Sequence, residues 1–182
     1  DPEVALSVEK YAQGNGIDIR MQEKVQRFEG DGVVRAVVTD KGTYPADVVV
    51  LSVGVKPTVA LAREAGLEIG SSGAILVNQN MLTSDPDIYA GGDCAENTHM
   101  VSGKKMFVAL GSIANKHGRV IGENICGADV KFRGILGTVV VRLLELNVGK
   151  TGLTETEAKA AGYEIVTTMT TGNDRAHYMP ES

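Results

Sequence analysis

The chain has 182 residues, of which 43% are apolar and 4% aromatic, with no Trp and a net charge of −5. That length can bury a core as one or two domains. The acidic balance and the shortage of aromatic rings exclude a general nucleic-acid platform, which needs positive charge and stacking faces.

No apolar run nears the roughly 20 residues that span a bilayer. The longest, Ala46–Val55, is interrupted by Asp47, Ser52 and Gly54. The opening Asp-Pro-Glu-Val has neither a basic n-region nor an apolar h-region, so no secretory signal is expected there. Cys94 and Cys126 are too few for a secreted disulfide scaffold. A reducing cytoplasm is the expected compartment. The lack of an initiator Met suits a segment of a longer protein.

In chain order, Val4–Gln13 carries apolar residues at helical spacing and is stopped by Gly14-Asn15-Gly16. Ile17-Asp18-Ile19 reads as a short strand, and a helix leading straight into a strand is an α/β signature. Val25–Phe28, Val33–Thr39 and Thr43–Tyr44 are β-prone runs separated by Gly30-Asp31-Gly32 and Asp40-Lys41-Gly42. They predict an antiparallel meander. Asp47–Val53 is nearly continuously apolar, the pattern of a strand buried on both faces. It ends at Gly54-Val55-Lys56-Pro57.

Thr58–Ala65 reads as a short helix with Thr58 as N-cap and Gly66 beyond its end. Ala74–Val77 and Asp87–Ala90 read as strands, the second closed by Gly91-Gly92. A long helix is expected over Val108–Ile125. Beyond Gly127 a strand is expected over Thr138–Val148. A helix over Thr154–Ala161, with Thr154 as N-cap and an acidic first turn, and a strand over Glu164–Thr170 follow. No strand–helix junction carries the Gly-x-Gly-x-x-Gly of a dinucleotide loop. Gly14-Asn15-Gly16 lies at a helix end, and Gly70-Ser71-Ser72-Gly73 lacks the spacing.

The stretch with most chemical content is Thr83–Asp93. A strand runs into Gly91 and Gly92 and then the carboxylate of Asp93. Glycines permit close approach of another molecule, an ionised Asp accepts strong hydrogen bonds from sugar hydroxyls, and strand ends in α/β sheets are where ligands sit. A tight turn with Asp93 capping nearby amides would have the same sequence, and on the residues alone the two readings stand level.

Thr83-Ser84-Asp85-Pro86-Asp87-Ile88-Tyr89-Ala90-Gly91-Gly92-Asp93 resembles the second FAD-binding motif of the pyridine nucleotide-disulfide oxidoreductases: a Thr, an acidic-Pro turn, then Ile-Tyr-Ala-x-Gly-Asp. The resemblance implies that Asp93 holds the ribityl chain of FAD and that Gly91 and Gly92 let the flavin approach. Val50–Pro57 resembles the strand and turn leading from the NAD domain back to the FAD domain. The family would place Gly54 near the nicotinamide, and Thr58 stands where many members have Asn. Without the family, Val50–Pro57 is an ordinary buried strand ending in a Pro turn.

Val108-Ala109-Leu110 and the helix after it resemble the family helix whose N-terminus faces the flavin pyrimidine ring. There a helix dipole stabilises the charge that a reduced flavin gathers. As a plain amphipathic helix it would show Asn115, Lys116, Arg119 and Glu123 to solvent. His117 within it reads as a surface or packing histidine, because no acidic partner is marked nearby.

Ile135–Thr138 and Thr151–Glu155 resemble the start of the family's interface domain. His177-Tyr178-Met179-Pro180 stands where the NADH oxidase and coenzyme A disulfide reductase group often has Tyr-Tyr-Pro-Gly.

The fold class implied is α/β: a fragment of a two-dinucleotide-binding-domain flavoprotein with the start of an α+β interface domain. Residues 1–57 are expected to be the C-terminal half of the NAD(P)-binding domain. Residues 58–131 are the returning segment of the FAD domain, and 132–182 the first half of the interface domain. The cofactors implied are FAD and NAD(P)H, the partners a small-molecule substrate and a second copy in a homodimer, with no nucleic acid and no membrane. No residue of the chain is assigned to catalysis and none to a metal. Cys94 and Cys126 read as small semi-buried thiols, since neither stands where the family has its nucleophile. A remnant that folds or pairs without cofactor, and a ferredoxin- or rubredoxin-reductase-like protein, are the competing readings. The interface-domain start at Gly134–Glu155 speaks against the latter.

Overall fold

The computed structural model describes residues 1–170, so His177–Pro180 lies outside the described residues. Helix α1, Pro2–Gly14, starts with a Pro in its first turn, where the missing N–H costs nothing. Its last turn closes through Gly16, at φ 82°. The expected meander forms. Strands β1 (Val25–Gly30), β2 (Val34–Thr39) and β3 (Thr43–Pro45) pair antiparallel in sequence order. At its edge the Glu23 carboxylate accepts from the Thr39 hydroxyl and from Tyr44 Oη. These bonds, that from Thr39 first, hold Glu23 below the usual carboxylate range.

Two β-prone runs beside the meander form no strand. Ile17–Ile19 is irregular, and so is Asp47–Val53. Instead of being buried, Val48, Val50 and Val53 are 79%, 85% and 89% exposed. The cause is plain: β-propensity is realised only against neighbouring strands, and these runs have none among the described residues.

Helix α2, Ala60–Glu64, follows Val59 rather than Thr58, and no side chain caps it. The main core gathers beyond it. Ala62, Ile75, Val77, Met81, Ala90, Ala95 and Val120 are buried together, with Leu67, Tyr89 and Phe132 packed around them. Ala74–Val77 and Asp87–Ala90 run through this core without becoming ladders. Ile75 makes single bridges to Ile69 and Ala95, and Tyr89 one to Leu82. Strands β4 (Asn97–Thr98) and β5 (Lys105–Met106) form a minimal antiparallel pair.

Helix α3, Gly111–Ile125, begins three residues later than Val108. Leu110, its N-cap, is extended at φ −139° and ψ 127°, so Val108–Leu110 enters the helix as straight chain. Buried Ile113, His117, Val120 and Asn124 form its inner stripe at i, i+4, i+7 and i+11. Asn115, Lys116, Arg119 and Glu123 are exposed, as an amphipathic helix requires. Asn124 clasps the chain beyond the helix: its Nδ2 donates to the carbonyls of Asn80 and Val130, and its Oδ1 accepts from Val130 N.

The apolar stretch Thr138–Val148 is a hairpin rather than one strand. Strands β6 (Val139–Leu143) and β7 (Leu146–Lys150) pair across Leu144, whose φ is 53°. Helix α4, Glu155–Ala160, has the expected N-cap. Thr154 accepts from Glu157 N while Glu157 reaches back to Thr154 N, a complete capping box. The Lys150 ammonium and the Thr154 amide hold the Glu157 carboxyl down to about 2. Glu164–Thr170 forms no strand. No helix among the described residues is long and apolar enough to cross a membrane.

Candidate functional site: the Gly91–Asp93 turn on helix α3

Three expected site residues, Gly91, Gly92 and Asp93, form one turn laid along α3. A Cβ on Gly91 would lie 2.8 Å from Ile121 Cδ1 and 3.0 Å from His117 Cβ. One on Gly92 would lie 3.6 Å from Ala114 Cβ. From Gly91 to Gly92 the turn therefore runs along the helix from its third turn towards its first. Gly92 has φ 76°, a left-handed conformation that costs an L-residue about 1–2 kcal/mol. Gly91 thus serves close packing against α3 and Gly92 serves backbone conformation, two separate reasons for the pair.

The sequence reading missed what fixes this turn. The Gly92 amide donates to His117 Nδ1 at 3.0 Å. His117 is fully buried at 0% exposure, and its ring meets Phe132 edge to face at 4.4 Å between centroids. Burial lowers its pKa, keeping the imidazole neutral. Its 25-residue separation from Gly92 left no local pattern to find. Only its place on the apolar stripe of α3 pointed inward.

Asp93 is exposed, and its carboxylate takes no hydrogen bond or ion pair from the described residues. It does not cap its own turn. Cys94 is half-buried, its Sγ 3.4 Å from the Gly91 carbonyl. Cys126 is exposed. At the start of α3, Gly111 and Ser112 are exposed, no side chain caps the helix, and the amides of these two residues find no acceptor among the described residues.

Val108, Ala109 and Leu110 lead into that helix end and are half-buried. With Lys105, Val139 and Leu153 they line a cavity of about 510 Å³ between the α3 approach and the β6–β7 hairpin. Asp93 does not line it. Gly54 stays apart. It lies at φ 94° with open space around it, in the exposed run that has no hydrogen-bonded partner among the described residues. Among those residues no group of His, Cys, Asp and Glu side chains could hold a metal.

The sequence model of the pyridine nucleotide-disulphide oxidoreductases matches residues 1–122, which include the whole Gly91–Asp93 turn and most of α3. The chain belongs to that family. An NAD(P)H sulfur oxidoreductase (CoA-dependent) of Pyrococcus abyssi is 45% identical over 180 residues, 99% of this chain and 40% of that protein. An NADH oxidase of Methanocaldococcus jannaschii is 37% identical over the same share of each. Among solved structures, an NAD-dependent persulfide reductase from A. fulgidus superposes with a TM-score of 0.90 at 42% identity, over 97% of this chain and 33% of that one. The chain spans about 40% of the length of these curated family members. The mixed α/β architecture is therefore that of a portion of a two-domain disulphide oxidoreductase.

Proposed function

We propose that the protein carrying this chain is an FAD-dependent NAD(P)H oxidoreductase, passing hydride from NAD(P)H through FAD to a disulfide, persulfide or oxygen acceptor. The observation that carries this is the Asp93 carboxylate, exposed and unengaged at the end of a turn anchored on α3. Fixed acceptors without internal partners suit the hydroxyls of a ribityl chain. The open amides of Gly111 and Ser112 suit the electron-rich pyrimidine edge of the same group. These features fit FAD, which when bound supplies the two-electron carrier between nicotinamide and acceptor.

In this reading Asp93 orients the ribityl chain and Gly92 holds the turn open to it. Gly91 keeps that turn against α3, and Val108–Leu110 line the approach. Gly54 lies beside the nicotinamide. Residues 1–57 belong to the NAD(P)-binding domain, 58–131 to the FAD-binding domain and 132–182 to the interface domain. The protein works in the cytoplasm as a homodimer on a small-molecule acceptor. Support for pairing comes from the apolar surface of the hairpin, where Val140 and Val141 are exposed. Support for the acceptor class comes from the sulfur, persulfide and oxygen activities named for the relatives. The chain by itself, lacking a phosphate-cradling glycine loop, is inactive and keeps no flavin.

An anaerobic titration tests this. The whole protein is expected to be yellow and to bleach on addition of NADH or NADPH, while residues 1–182 alone are expected to be colourless. A colourless whole protein that stays so with added FAD contradicts the reading. A stoichiometrically yellow chain contradicts its last part.

A further inference from the structure

We infer that His117, as a neutral imidazole accepting from Gly92, is the positioning residue that holds the flavin-binding turn, and that its protonation loosens FAD. This rests on the placement of FAD at Asp93. The geometry dictates the protonation state. Gly92 N–H donates to Nδ1, so the neutral ring carries its proton on Nε2. Nε2 is itself buried with no partner among the described residues. A second proton, placed on Nδ1, would set N–H against N–H and put a charge in a fully buried site. The Gly92 amide would lose its acceptor, and the turn carrying Asp93 would lose the one side-chain bond among the described residues that ties it to α3.

The ionisable groups on the elements around His117 are Asp93 and Cys94 on the turn, Lys131 and Arg133 beside Phe132, and Lys116, Arg119 and Glu123 on α3. None of them is a cause of the lowered pKa of His117, which comes from burial alone. The sign follows. The neutral form persists to below the ordinary histidine value of 6.5, and the loss of grip comes as pH falls through the depressed folded value.

The test follows release of FAD from the whole protein by flavin fluorescence as the pH is lowered from neutral to the acid limit of the folded state, with no turnover involved. Wild type is expected to bind FAD about three- to tenfold more weakly at the acid end, the worth of one hydrogen bond. His117→Asn places Oδ1 where Nδ1 stood, accepts from Gly92 and cannot titrate. It should bind as wild type at neutral pH and lose the acid step. His117→Gln, whose oxygen lies too far out, and His117→Leu, which has none, should be weakened by the same factor at both ends. Asp93 is present in all four proteins, so differences between the curves belong to position 117.

A flat wild-type curve overturns the inference without any variant. So does an acid step kept by His117→Asn, or wild-type affinity in both His117→Gln and His117→Leu. Asp93→Ala, measured alongside, separates the two claims. If it keeps its flavin, the site reading fails and this inference with it. If it loses flavin while position 117 is indifferent, only the inference fails.

Discussion

Asp93→Ala in the whole protein should lower flavin affinity about ten- to hundredfold, and the purified variant should arrive depleted of FAD. The substitution removes a charge-assisted hydrogen bond worth roughly 1.5–3 kcal/mol. Because Asp93 is exposed and bonds to nothing within the described chain, its loss should leave unfolding stability within about 0.5 kcal/mol of wild type. Added FAD should restore part of the activity. Cys94→Ser is the adjacent control. Its thiol is half-buried and reaches only the Gly91 carbonyl, a bond that a serine hydroxyl can also make. It should keep both flavin and turnover. Loss of turnover in Cys94→Ser together with full flavin in Asp93→Ala would move the chemistry to the thiol.

Gly134→Ala should destabilise the fold by about 3–5 kcal/mol, the sum of a strained backbone and two lost backbone hydrogen bonds. Gly134 has φ 116°, and a Cβ there would sit 2.4 Å from the Thr98 carbonyl oxygen. That oxygen accepts from Ile135 N at 2.9 Å, and Ile135 O accepts from Met100 N at 2.8 Å. The methyl group cannot enter without parting this bridge, which ties the chain entering the hairpin to the segment running from Ala95 to Met100. Gly137→Ala is the comparison. Its φ is 66° and no atom lies within 4 Å of the added carbon, so only the conformational cost of about 1–2 kcal/mol remains. Urea midpoints measure both. Equal shifts would mean that the Thr98 contact is relieved without breaking the bridge.

Elements that depend on near neighbours were legible in the sequence. The β1–β3 meander follows from its turn residues, and the Thr154 capping box from residues three apart. The amphipathic α3 follows from its stripe, although its start moved to Gly111, with Leu110 extended as the N-cap and no side chain capping the helix. The motif through Asp93 was legible as a pattern, but its mechanics were not. The sequence gives no hint that Gly91 packs on Ile121 and His117, or that Gly92 bonds to His117. Strands expected at 17–19, 47–53, 74–77, 87–90 and 164–170 misled for one reason. Alternation and β-branching report a residue's fitness for a sheet, and the presence of a partner strand is a tertiary fact.

The central claim is that Asp93 and the start of α3 together hold FAD. The most direct measurement is a crystal structure of the whole protein with FAD bound. The Asp93 carboxylate should lie within hydrogen-bonding distance of a flavin ribityl hydroxyl, with the Gly111 and Ser112 amides against the pyrimidine edge and the Gly92–His117 bond intact. A flavin seated elsewhere, with Asp93 still facing solvent, would contradict the account.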